Sequence, residues 1–161
     1  MRKLLRAAVG LIALIALIIV IGAPMGLFSG TRPDNLGVRD GRLAPAKRTP
    51  NNVSSQADRN ADAAHYIEPL RYSGDFRQAW AALKRVIDAM PRVKIVASEP
   101  NYLHAEFSSR LMGYVDDTEF HLDEKAGVIQ VRSASRLGRS DFGVNRERIE
   151  TIRAKLAQEK R

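Results

Sequence analysis

RVKIVASEPNYLHAEFSS, Arg92 to Ser109, is the stretch from which the fold can be read. Val93, Ile95 and Ala97 share one face of an extended segment, and a turn follows at Glu99, Pro100 and Asn101. Beyond it Leu103, Ala105 and Phe107 alternate with Tyr102, His104 and Glu106. A period of two on both sides of a short turn predicts an antiparallel hairpin with one packed face and one polar face. DTEFHLD (Asp117 to Asp123) continues the pattern, setting Phe120 and Leu122 against Glu119 and His121. After a turn at Asp123 to Gly127, VIQVRSAS (Val128 to Ser135) turns Ile129 and Val131 inward.

The flanks change period. Phe76, Trp80, Leu83, Ile87 and Met90 recur at alternating spacings of four and three, the apolar stripe of a helix. Asp75 is placed to cap it and Pro91 to end it. Trp80 belongs to that stripe and therefore to the core. At the far end Ile149, Ile152 and Leu156 mark a second amphipathic helix. Helix, four strands, helix predicts an α+β domain over 66–161, a four-stranded antiparallel sheet packed with two helices.

Residues 29–65 are rich in turn formers and lack a sustained apolar period, so they read as an extended linker. Val38 and Leu43 within it can dock on an apolar surface. Residues 1–28 read as a membrane anchor. After Arg2, Lys3 and Arg6, no residue from Ala7 to Phe28 is charged, long enough for the roughly 20 apolar residues of a spanning helix. A cleaved signal peptide has a core of about 7–15 residues and a small-residue cleavage site; this core is longer, and no clean site follows. The three basic residues before it put the N-terminus in the cytoplasm and the domain in the periplasm, a single pass through the inner membrane.

The formal net charge of +8 is not a nucleic-acid footprint. Three of those charges belong to the leader, and from Tyr66 onward 17 basic residues face 14 acidic ones. The chain has no cysteine, which excludes disulfides, thiolate metal sites, a cysteine nucleophile and a lipidated cysteine. His65, His104 and His121 have no metal-ligand spacing, so neither a metal nor another cofactor is expected.

Two places can carry function. SRLGRSDFGVNRERIE, Ser135 to Glu150, crowds Arg136, Arg139, Arg146 and Arg148 around an incoming helix start, with Arg132 just before it. Such a start favours anions, and Arg132, Arg136, Arg139, Ser140, Asp141, Asn145 and Arg146 are the candidate ligand-binding residues. The competing reading is an internal clamp, with Asp141 capping the helix and pairing with an arginine. The polar sheet face offers Tyr102, His104, Glu106, Glu119, His121, Gln130 and Arg132, which is also what a solvated face looks like; solvation is the expectation. Asp116 and Asp117 lack calcium-loop spacing and read as turn residues.

The segments YSGDFRQAWAAL, RVKIVASEPNYLHAEFSSRLMGYVDDTEF and VIQVRSASRLGRSDFGVNRERIE, with TPNNVSSQA upstream, resemble the bacterial and plastid family called domain of unknown function 1499. The likeness runs from about Leu36 to Leu156. It implies a compact domain in an exported or membrane-attached setting, and no activity. Members often carry a cysteine on either side of the SPN or TPN turn, where this chain has Ala46 and Asn52. Loss of both together suits a dispensable disulfide and argues against a catalytic or metal-binding role for either.

The reading is a membrane-anchored, non-enzymatic envelope protein that binds an anionic ligand, a lipid headgroup or an envelope partner, and no nucleic acid. The alternative is a hydrolase or isomerase using His104, Glu106 and Asp141.

Overall fold

A computed structural model describes residues 1–159. The elements in chain order are α1 (Arg2–Gly22), β1 (Asn52–Ser54), β2 (Leu70–Arg71), α2 (Phe76–Asp88), β3 (Val93–Ser98), β4 (Tyr102–Ser108), β5 (Val115–Asp123), β6 (Val128–Ser135) and α3 (Val144–Glu159). The architecture is α+β with an N-terminal apolar helix. The sheet has six strands rather than four, wholly antiparallel, in the order β1-β6-β5-β4-β3, with β2 also paired to β6. The two additional strands lie end to end along β6: Asn52 to Ser54 oppose Ala134 to Arg132, and Leu70 and Arg71 oppose Ile129 and Val128. Three and two residues are too few to show alternation in a sequence.

The α2 stripe packs as its spacing predicts. Asp75 accepts the Arg77 amide at 2.9 Å, and Trp80, Leu83, Val86 and Ile87 are buried against the sheet face made by Leu103, Ala105, Phe107, Phe120, Leu122, Ile129 and Val131. Ile149 and Ile152 of α3 complete this core. Together α2 and α3 cover one face of the sheet.

The other face is covered by the chain between α1 and β1. Arg32 reaches Glu106 on β4, the Gly37 amide donates to Glu119 on β5 at 2.8 Å, and Leu43 and Ala44 are buried. The segment 29–65 thus lies along the sheet and supplies β1.

Helix α1 is long and apolar enough to cross a membrane, a property shared by single spans and signal sequences. Its 21 residues extend about 31 Å at the helical rise, close to the roughly 30 Å of a bilayer core. The turn that follows it meets the domain. A β-carbon on Gly113, in the β4–β5 loop, would lie 3.1 Å from the Ala23 carbonyl oxygen, and the Phe28 and Tyr114 rings stand 5.9 Å apart.

Candidate functional site

The strand registers bring one polar set from β4, β5 and β6 onto a single face. Tyr102, His104 and Glu106 stand opposite His121, Glu119 and Asp117, while Glu119 and His121 oppose Arg132 and Gln130 on the other side. The face is not solvated. Glu119 is 0% exposed and Arg132 1%, and Tyr102, His104, Asp117 and His121 are also buried. Alternation shows which residues share a face but not what lies over it; here the segment from Arg32 to Ala44 does.

Buried charges need partners, and these form two ionic clusters. In the first, Glu119 accepts from Arg132 Nη1 at 3.0 Å, the Tyr102 hydroxyl at 2.9 Å and the Gly37 amide. Burial, and then the Glu119 charge, drive the Tyr102 pKa far up, so the phenol stays protonated. In the second, Asp117 accepts two hydrogen bonds from Arg136 and lies 2.8 Å from His104 Nε2, while Arg136 and Arg32 share Glu106. Burial raises the Asp117 pKa, but the Arg136 and His104 bonds outweigh it and bring it to about 2. The bond to Asp117 moves the Arg136 pKa up despite burial.

A third network lies on the helix side. Arg148 binds Asp116 at 2.5 Å and stacks over the Phe107 ring at 4.8 Å. Thr118 and Ser133 are hydrogen-bonded, and Ser133 donates to Asn145. The Asn145 side chain, fully buried, donates to the Asn51 carbonyl, Ser135 Oγ and Asp141 Oδ2. Asp141 also accepts the Gly143 and Asn145 amides, which cap the first turn of α3 and hold its carboxyl below the ordinary range against the effect of burial.

The arginines at the mouth of α3 are therefore mostly engaged. Arg146 donates to the carbonyls of Ala64 and Tyr66, pinning the chain between β1 and β2, and Asn51 Nδ2 holds the Gly138 carbonyl at 2.8 Å. Arg139 and Ser140 are exposed, and the Ser140 hydroxyl accepts from the Phe142 amide at 3.3 Å. Beside them is a mainly apolar groove of about 620 Å³, lined by Phe28, Tyr114, Leu137, Phe142 and Val144, with Asp141 and Ser140 at its edge.

The family model described as protein of unknown function (DUF1499) matches residues 42–156. The chain belongs to this family. No curated protein and no solved structure matches it. Where the resemblance implies cysteines at positions 46 and 52, the turn is closed by Asn52, whose side chain bonds the Lys47 amide and the Lys47 and Thr49 carbonyls.

Of the candidate binding residues, Arg132 and Arg136 lie on the covered face, Asp141, Asn145 and Arg146 knit α3 to the sheet and to the chain on either side of β1, and Arg139 and Ser140 remain on the surface. The trio His104, Glu106 and Asp141 is not assembled. His104 and Glu106 belong to the covered face, Asp141 is bonded to the helix-side network, and neither lines the groove that Asp141 borders. The sequence reading missed Asp116 and Asp117 as arginine partners. They are not turn residues but part of β5, pointing to opposite faces. The available signal was stoichiometric: strands carrying several carboxylates run directly into a segment carrying several arginines.

Proposed function

We propose that this protein is a single-pass inner-membrane protein with a cytoplasmic N-terminus, whose periplasmic domain binds an anionic ligand, a phospholipid headgroup above all, without catalysing a reaction. The observation that carries this reading is the division of the arginines. Arg132, Arg136, Arg146 and Arg148 are consumed by internal bonds, whereas Arg139 is exposed on a loop beside the exit of α1. A cation held close to a membrane surface attracts anionic lipid. Arg2, Lys3 and Arg6 before the span support the orientation. A hydrolase or isomerase has less support, because His104 is hydrogen-bonded to Asp117 and Glu106 is paired with Arg32 and Arg136 beneath the covering chain.

Native mass spectrometry of the detergent-extracted full-length protein tests the reading. A retained anionic phospholipid, lost on Arg139→Ala, is expected. A lipid-free wild-type protein, or retention unaffected by the substitution, would overturn it.

A further inference from the structure

Outside α1 and the turn that follows it, the exposed large apolar side chains among the described residues are Leu111, Tyr114, Leu137, Phe142 and Val144. None is on the far end of the domain. All belong to the β4–β5 loop, to the connection from β6 into α3 or, for Val144, to the first residue of α3, and the antiparallel pairing brings them to the same end of the sheet. That end meets the turn that follows α1, through Gly113 against Ala23 and Tyr114 against Phe28.

Folding does not account for these side chains. Leu111 is 71% exposed and Phe142 96%. Phe142 also has φ 54°, a left-handed conformation that bulky residues rarely adopt. An aromatic residue held in such a backbone and turned to solvent contributes nothing to the core, and strain of this kind accompanies function more often than packing. Contiguous exposed apolar surface of this sort marks an interaction site.

We propose that these two loops form a membrane-docking surface, and that the domain sits on the bilayer its own helix crosses, with Leu111, Tyr114 and Phe142 in the interfacial layer. The inference rests on the reading of α1 as a span. If α1 fills the hydrocarbon layer, Ala23 marks its boundary, and the contact with Gly113 holds the β4–β5 loop at that depth. Tyrosine suits this layer, with its ring in the acyl boundary and its hydroxyl in water, and leucine and phenylalanine supply apolar contact at the same depth. Arg110 and Arg139, both exposed on the same two loops, match the sign of an anionic leaflet. The domain is then attached at two points, which fixes its tilt and leaves the β3–β4 and β5–β6 turns facing the aqueous side.

The absence of cysteine makes the test clean. Full-length protein carrying one of Leu111→Cys, Phe142→Cys or Ala126→Cys is spin-labelled and reconstituted in bilayers of phosphatidylcholine alone or with phosphatidylglycerol. Collisional relaxation by oxygen and by a water-soluble nickel chelate then gives depth. Labels at 111 and 142 are expected to favour oxygen severalfold over the label at 126, which lies in the β5–β6 turn. Equal, water-like accessibility at all three positions in correctly melting protein would overturn the proposal. Burial of 111 and 142 in both bilayers, with no lipid retained through Arg139, would leave docking standing and remove only the headgroup reading. Water-like labels with Arg139-dependent retention would do the reverse.

Discussion

Arg136 holds Asp117 with both arms of its guanidinium, Nε donating to Oδ2 and Nη2 to Oδ1, each at 2.8 Å. The pair joins the end of β6 to the middle strand β5 beneath the covering chain, with side chains 6% and 1% exposed. It ties the arginine-rich loop to the sheet. Because removal of one partner strands a buried charge, Asp117→Ala and Arg136→Ala are each expected to cost about 3–5 kcal/mol. The double variant should cost clearly less than the two added together. Urea unfolding of the four proteins checks both statements.

The same pair sets an acid limit. The Asp117 pKa of about 2 lies below its ordinary 3.8, so the contribution is fully present above about pH 4 and is lost as pH falls toward 2, on the order of 2 kcal/mol. Glu106 and Asp141 are lowered too and act in the same direction. Urea midpoints measured from pH 6 to pH 2 should fall in the lowest two units, and Asp117→Asn should flatten that fall.

Asp141 is a structural residue on this account. It accepts the Gly143 and Asn145 amides and orients the buried Asn145 amide group. Asp141→Ala should destabilise by about 1–3 kcal/mol through loss of the cap and of a buried hydrogen bond. A thermal melt indistinguishable from wild type would contradict the assignment.

Trp80 is a core residue whose indole N–H reaches the Glu99 carbonyl at 3.3 Å. Truncation to alanine is expected to cost about 3–5 kcal/mol, read as a lower melting temperature with no change in membrane association.

What the sequence disclosed follows element length. Strands β4, β5 and β6 and helix α2 are long enough for periods of two and 3.6 to emerge, so the hairpin, the core face and Trp80 were legible. Strands β1 and β2 are not. The polar set on the second face was legible as a set, but its burial was not, because the chain that covers it has no period and attaches through backbone groups such as the Gly37 amide. The arginine cluster was visible as composition, whereas its partners lie 13 to 32 residues back along the chain. For Arg146 the partners are backbone carbonyls, which leave no trace in a sequence.

The central claim is that Arg139 offers its charge to an anionic lipid while its neighbours hold the fold. The most direct measurement is the melting temperature of full-length wild type and Arg139→Ala in neutral detergent, with added phosphatidylglycerol, phosphatidylcholine or inorganic phosphate. The account predicts equal melting of the two proteins without additive. It predicts a rise for wild type with phosphatidylglycerol that fades as salt increases, and no such rise for Arg139→Ala. An equal rise in both proteins, or none in either, would contradict it; a rise with inorganic phosphate alone would make the ligand a free anion rather than a lipid.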